Sequence, residues 1–472
     1  MTDDRYRATL DGLFRRRRFG MRPGLEVVRA LLDALGNPER SFPAVHITGS
    51  KGKGSVAAMT RAILTANGLR TGLFTSPHLA SYRERVRVDE RPIPRAAVAE
   101  GVARLDALAE TLERSGRIDR APTFFEVTTA LAFEWFRTQK VGAAVVEVGI
   151  GGRLDATNVL DSRVGVITTI ELEHTDVLGD TIAAIAREKS GIFHPGMSGV
   201  VGELGAEAGR EVESAAAREG VPLWHLGSEV RVEDRTLFES GQRFSVRVPA
   251  RTFGELEIPL LGRFQSGNAA LAVAAAVRFA EALGRTVDEA ATREALARVR
   301  WPGRLERVGR RPETFYDVAH TPESARAIAL SLAEVSPLAD PAECAIVFGC
   351  LQGKDVPRIL DAFSPLARTI VVVPVRSERG MPAHALRLAA AGRFPRVVEA
   401  PSAAEGLRLA HAATGPEGYT LVVGSDYLIG ELVRKPDADE PDLSDPGLGP
   451  AAERPAVAPP AGRPPDRARP GA

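Results

Sequence analysis

The chain has 472 residues, and its 61 Lys+Arg balance 61 Asp+Glu, so no net field points toward nucleic acid or an anionic membrane. With 44% hydrophobic and 26% charged residues it reads as a globular protein of two or three domains. It contains no apolar run of about 18 residues, Met1 to Arg5 lack a signal-peptide layout, and Cys344 and Cys350 are too few for a disulfide framework. A cytoplasmic protein without nucleic-acid or membrane partners is expected. The two cysteines read as buried small hydrophobes.

From Tyr6 to about Arg300, apolar strand-like runs alternate with helical ones. The strand candidates are Ala44–Thr48, Arg70–Phe74, Ala143–Val148, Val164–Thr169 and Gly199–Gly202. Helical patterns cover Ser55–Asn67, Arg95–Ser115, Phe124–Arg137 and Ile182–Ser190. This alternation predicts an α/β fold with a mostly parallel sheet. Short alternating stretches with glycines from Glu229 to Leu261 predict antiparallel hairpins appended to it. Ser266–Leu283 is apolar on every side and predicts a buried helix.

At Trp301-Pro302-Gly303-Arg304 the pattern breaks, and a second α/β series begins, expected to form a smaller Rossmann-like domain. Its strand candidates are Thr314–Val318, Ala345–Gly349, Thr369–Val373, Arg396–Ala400 and Thr420–Gly424. Ten of the 33 prolines follow Lys435, where apolar content is too low to offset ordering entropy, so a disordered Pro/Ala-rich tail is expected. The expected division is 1–300, 301–434 and 435–472.

The strand Val45-His46-Ile47-Thr48 enters Gly49-Ser50-Lys51-Gly52-Lys53-Gly54-Ser55, and an apolar helix, Val56 to Leu64, leaves it. Such a loop holds nucleotide phosphates: consecutive N–H groups wrap the anion, and the helix N-terminus adds partial positive charge. ATP is therefore expected, with Lys53 on the β- and γ-phosphates and the Ser55 hydroxyl on Mg²⁺. Gly54 separates Lys53 from the hydroxyl residue, a departure from GxxxxGK[ST]. An ordinary glycine-rich turn is the plainer alternative.

Four further clusters carry reactive side chains. Thr75-Ser76-Pro77-His78 follows a strand. Glu147 ends a buried apolar run before Gly149, Gly151 and Gly152. Glu171-Leu172-Glu173-His174 follows another strand, and Lys189 ends a helix. Taken singly, Ser76 is a turn cap, Glu147 the partner of a structural arginine, His174 a structural histidine and Lys189 a solvated helix-end charge. Taken together, their loops should leave one edge of the sheet, where a hydroxyl, a carboxylate and an imidazole near a triphosphate make a hard-cation site.

These segments resemble the folylpolyglutamate synthase/dihydrofolate synthase family, a branch of the Mur ligases, from about Tyr6 to about Leu432. The match includes Gly20-Met21-Arg22-Pro23-Gly24-Leu25-Glu26, the phosphate loop, Thr75-Ser76-Pro77-His78-Leu79 and Glu147-Val148-Gly149-Ile150-Gly151-Gly152-Arg153. It continues through Glu188-Lys189-Ser190-Gly191-Ile192, Pro302-Gly303-Arg304 and Asp317-Val318-Ala319-His320. The resemblance implies ATP phosphates on Gly52, Lys53, Gly54 and Ser55, and nucleotide contacts from Asn268, Arg304 and Asp317. It implies Mg²⁺ at two positions, with Ser76, Glu147 and His174 as ligands, and a carbamylated Lys189 that helps hold the cation. Thr123, Phe124, Phe125 and Glu126, with Leu154, Asp155 and Ala156, would meet the pterin-bearing substrate. His320 would lie near the acceptor amine or acyl phosphate, which makes Lys53, Lys189 and His320 the catalytic candidates.

Four positions depart from the family pattern: Lys51 stands where Asn is usual, Glu173 where Asp is common, Thr321 where Asn is usual and Asp426 where Phe is common. The implied activity is ATP-dependent addition of L-glutamate to a tetrahydrofolate polyglutamate, to dihydropteroate, or to both, through an acyl phosphate, by a monomer. Two alternatives stand beside it. A cell-wall Mur ligase fits less well, because the chain begins almost directly on the ATPase domain. A nucleotide-binding regulator without catalysis is suggested by Thr321.

Overall fold

The computed structural model describes residues 2–16, 22 and 24–433. The expected tail from residue 435, and Gly20, Met21 and Pro23 of the first matched segment, lie outside them. Among the described residues the first sheet has eight strands: β1 (Ala44–Thr48), β2 (Thr71–Phe74), β3 (Val86–Val88), β4 (Arg91–Pro92), β5 (Ala143–Glu147), β6 (Ser162–Ile167), β7 (Ser198–Val201) and β8 (Leu223–His225). Their order is β4-β3-β2-β5-β1-β6-β7-β8, parallel except for the edge ribbon β2-β3-β4. Every residue of β1 and β5 is buried, as continuous apolar runs require of central parallel strands.

Helices Lys53–Ala66 and Gln265–Ala282 cover one face of this sheet. Helices Arg95–Arg114 and Phe124–Thr138 cover the other, around Phe74, Phe133 and Phe136. The expected hairpins form a separate antiparallel sheet, β9 (Arg231–Phe238), β10 (Gly241–Val248) and β11 (Arg251–Ile258), in the order β11-β10-β9. The helix Gln265–Ala282 touches both sheets, β6 and β7 on one side and β9 and β10 on the other. Its all-round apolar sequence follows from that: Ala269 to Ala276 are each at most 2% exposed.

A second lobe holds six strands: β12 (Glu306–Arg310), β13 (Glu313–Asp317), β14 (Ala345–Phe348), β15 (Thr369–Val372), β16 (Arg396–Glu399) and β17 (Tyr419–Val423). The order is β12-β13-β17-β14-β15-β16, with only the β12–β13 pair antiparallel. Helices Pro322–Val335 and Val356–Phe363 pack on one face, and Ala403–Ala413 and Asp426–Val433 on the other. Cys344 and Cys350 are free and buried on either side of β14, as expected.

Predicted and observed element ends differ by a residue or two. Whole elements escaped the periodicity reading at the edges: β3 and β4, β8, and β12. The residues of β12 are Glu-Arg-Val-Gly-Arg and none is buried, because an edge strand with one solvated face needs no apolar run.

Candidate active site

Strands β2, β5, β1 and β6 are parallel neighbours, so their carboxyl ends share one edge of the sheet. Four loops emerge there: the phosphate loop after β1, Thr75 and Ser76 after β2, Glu147 closing β5, and the stretch to His174 after β6. They wall a cavity of about 1370 Å³ whose far side comes from the second lobe, through Arg304, Asp317, His320 and Lys354. Ligand sites of open α/β sheets lie at such strand ends.

Thr168 and Thr169, at the end of the neighbouring strand, pin the phosphate loop. Ser50 N–H donates to Thr169 O at 2.7 Å, Lys51 N–H to Thr169 Oγ1 at 2.8 Å, and Thr168 Oγ1–H to Lys51 O at 2.5 Å. Gly52 has φ +86°, and a Cβ there would sit 2.6 Å from Asn268 Oδ1, so only glycine serves. Lys53 folds over its own loop, Nζ donating to Gly49 O at 2.8 Å. Gly54 heads the helix beside Trp301, and Ser55 is buried, its Oγ accepting from Gln265 Nε2 at 3.4 Å. Asn268 Nδ2 in turn donates to Gln265 Oε1 at 2.9 Å.

Glu147 is 4% exposed, and burial raises its carboxyl to about 6 against the pull of Lys53 and of Ser76 N–H, 3.0 Å from Oε2. A buried carboxylate so little compensated favours a cation beside it. His174 sits in left-handed backbone, φ 50°, ahead of the short helix Thr175–Leu178. Burial lowers its imidazole to about 4, leaving it neutral with a lone pair for metal. Ser76, Glu147 and His174 all line the cavity. Among the described residues no group of three His, Cys, Asp or Glu side chains could hold a metal by itself. The donor set still fits a hard cation that completes its shell with phosphate oxygens and water.

Lys189 is 2% exposed rather than solvated. Its Nζ lies 3.4 Å from Glu173 Oε1, and Lys51 Nζ lies 3.2 Å from Oε2 of the same carboxylate. Burial lowers the Lys189 ammonium to about 8, with Lys53 adding repulsion and Glu173 opposing. Burial alone would raise Glu173, but Lys53, Lys51 and Lys189 outweigh it and hold the carboxyl at about 2. Two of the departing positions, Lys51 and Glu173, are thus one ion pair.

In the second lobe Asp317 accepts Leu305 N–H on Oδ2 and Ala319 N–H on Oδ1, both at 2.7 Å, which fixes the turn carrying Arg304 and His320. Burial raises its carboxyl to about 6, and Arg304 opposes. His320 Nδ1 lies 2.8 Å from Val318 O. A carbonyl only accepts, so Nδ1 carries the proton and Nε2 is the basic nitrogen. Burial keeps the ring neutral, lowering it to about 3.

The expected substrate wall lines the same cavity, but two of its carboxylates are occupied by the chain itself. Thr123 N–H and Oγ1–H donate to Glu126 Oε2 at 2.7 and 2.9 Å, a capping box, and Arg120 grips both Glu126 oxygens at 2.8 Å. Asp155 accepts Ile150 N–H and Thr157 N–H, each at 3.0 Å. Phe124 stacks on Phe14 at 5.5 Å beneath the Arg85 guanidinium, and Phe125 tilts against Phe74. Leu154 and Ala156 add apolar wall. Glu126→Ala is accordingly expected to destabilise the fold by about 2 kcal/mol, through loss of the cap and of the Arg120 pair. Thermal unfolding checks this; unchanged stability with a raised KM for the substrate would give Glu126 a binding role instead.

Sequence reading missed Lys354, which lines the cavity and is shifted down chiefly by burial, then by Lys51. Its signal was available: Leu351-Gln352-Gly353-Lys354 is a glycine turn just past a strand end. Arg85, whose Nε donates to His78 Nδ1 at 2.8 Å, also lines the cavity and was given no role from the sequence.

Two family models match the chain: the Mur ligase middle domain over residues 95–276 and the Mur ligase glutamate ligase domain over residues 303–426. A dihydrofolate synthase/folylpolyglutamate synthase of Mycobacterium tuberculosis is 38% identical over 79% of this chain and 78% of its own length. The folylpolyglutamate synthase of Lacticaseibacillus casei is 35% identical over 74% and 80%. The M. tuberculosis folylpolyglutamate synthase solved with ADP and AMPPCP superposes with a TM-score of 0.84 at 35% identity, covering 91% of this chain and 98% of that one. On these matches the chain belongs to the folylpolyglutamate synthase/dihydrofolate synthase family of Mur ligases.

Proposed function

We propose that this protein joins the amine of L-glutamate to a folate carboxylate at the expense of ATP, with a tetrahydrofolate polyglutamate, dihydropteroate, or both as acceptor. The observation that carries the reading is the single cavity between a phosphate loop on one lobe and Arg304, Asp317, His320 and Lys354 on the other. An FPGS–AMPPCP–folate complex with a TM-score of 0.78 and 31% identity, covering 90% of this chain, supports it. Residues 1–300 would serve the nucleotide, residues 301–434 the amino acid, and the chain would act as a cytoplasmic monomer.

A carboxylate resists amines because oxide is a poor leaving group. Attack of a carboxylate oxygen on the γ-phosphorus releases ADP and forms an acyl phosphate, the Lys53 ammonium and loop N–H groups holding the charge that moves. The glutamate amine then attacks the acyl carbon, and phosphate leaves. The unprotonated Nε2 of neutral His320 can accept a hydrogen bond from the attacking amine and so orient it. Mg²⁺ held by Ser76, Glu147 and His174 would neutralise the phosphate oxygens. Two lobes that close on the cavity exclude the water that would hydrolyse the acyl phosphate.

Glutamate-dependent ADP release in the presence of a folate is the deciding measurement, run with dihydropteroate and tetrahydrofolate side by side. Nucleotide binding without turnover would end the ligase reading.

Lys189 is the further chemical proposal. Carbon dioxide adds only to a neutral amine, and an ammonium lowered to about 8 supplies that form near neutral pH. The resulting carbamate would be an anion facing Lys51, Lys53 and the cation site. Activity in CO₂-depleted buffer at pH 8 is expected to rise on adding bicarbonate, and Lys189→Arg to show no response. A wild-type protein indifferent to bicarbonate would remove the carbamate from the mechanism.

A further inference from the structure

The turn before the helix Gln265–Ala282 belongs to both lobes. Leu261 is 4% exposed and Phe264 packs beside it, both within the second-lobe core formed by Ala325, Ile328 and Leu332. Arg263 N–H donates to Ser331 Oγ at 3.1 Å, on the second-lobe helix Pro322–Val335. A Cβ on Gly262 would lie 2.5 Å from the Phe264 ring, which would have to move aside to admit it. One residue further on, the same segment delivers Gln265 and Asn268 to Ser55 and Gly52 of the phosphate loop.

A polar relay fastens this turn from outside. Glu334 of the second lobe meets Arg263 Nη1 at 3.2 Å and Arg235 Nη2 at 2.8 Å. Arg235 Nε donates to Gln242 Oε1 at 2.8 Å. Gln242 is fully buried, and its Nε2 donates to Leu260 O at 2.6 Å and Gly262 O at 3.0 Å. Every polar atom of a buried amide is thereby committed to one geometry of the turn, and a half-satisfied alternative is costly. The second lobe therefore cannot shift against the hairpin sheet without pulling on the backbone that aims Asn268.

We propose that residues 260–264 couple the position of the second lobe to the phosphate loop, with Glu334, Arg235 and Gln242 as positioning residues and Asn268 as the output. This rests on the nucleotide reading of the loop given above. Contiguity alone does not establish coupling, so the test is a thermodynamic cycle.

The dissociation constant of AMPPCP is measured by calorimetry for the full-length protein, Glu334→Gln, Asn268→Ala and the double variant. Each single change is expected to weaken binding about fivefold or more, and the double variant to bind no more weakly than Asn268→Ala alone. Multiplying effects, or a Glu334→Gln variant that binds like the unmodified protein, would overturn the proposal. Arg235→Gln cuts the same link from the other side, repeats the expected result and replaces Glu334→Gln if that variant does not fold. Leu330→Ser, at an exposed position one turn away, should leave binding unchanged, and a matching loss there would also overturn the proposal. An unmodified protein that does not bind AMPPCP would instead defeat the nucleotide reading itself.

Discussion

Lys53→Ala is expected to lower turnover by at least about 10²–10³-fold, the usual loss for one preorganised charge donor. The fold should survive, because among the described residues Nζ hydrogen-bonds only to the carbonyls of its own loop, Gly49 O at 2.8 Å and Ser50 O at 3.4 Å. Ser50 and Lys53 line the cavity, where water can replace the ammonium. Steady-state ADP release with glutamate and folate saturating reports the loss, and thermal unfolding reports the intact fold. A variant with near-normal turnover would take Lys53 out of phosphoryl transfer. One that is inactive only because it is unfolded would give it a structural role instead.

Glu147→Gln should separate stability from activity in opposite directions. The wild-type carboxyl stands at about 6 rather than the usual 4.5, so its charged form is disfavoured in the folded protein. A folded value above the unfolded one means the penalty is absent below about pH 4.5, where the group is protonated in both states. It reaches full size above pH 6, at about 2 kcal/mol. The amide keeps the shape and can still accept Ser76 N–H without that charge. Free of metal and nucleotide, Glu147→Gln is therefore expected to unfold at a higher temperature than wild type at pH 8. The difference should vanish at pH 4. Activity should fall by about 10²-fold or more if the carboxylate helps hold the cation. Unfolding temperatures across pH, with Mg²⁺-dependent ADP release, check both halves. A variant less stable than wild type at pH 8 would contradict the account of Glu147 as a buried charge that its neighbours only partly compensate.

Much of this arrangement is legible locally. The phosphate loop announces itself because glycines, a lysine and a hydroxyl must occur within a few residues of a strand end. Glu147 is visible because a carboxylate terminating an apolar run is anomalous wherever it lies. The all-apolar Gln265–Ala282 segment demanded burial on every side, and the structure supplies a sheet on each. Other positions carry no such local mark. Glu126 and Asp155 resemble ligand groups until the donors that occupy them are seen, and Lys189 resembles a surface lysine until its helix end is found buried.

By itself the amino-acid sequence determined the α/β rhythm, the break near Trp301, the nucleotide loop and the side chains able to reach a cation. These follow from period, from backbone permissiveness and from charge placed at strand ends, all written within one or two turns of chain. Only the tertiary structure decided which distant groups share a space. It made Lys51, Glu173 and Lys189 one charge cluster, and seated Leu261 and Phe264 in the lobe that follows them in sequence. Such pairings span tens to hundreds of residues, and they arise from how layers pack over one another, which no local pattern encodes.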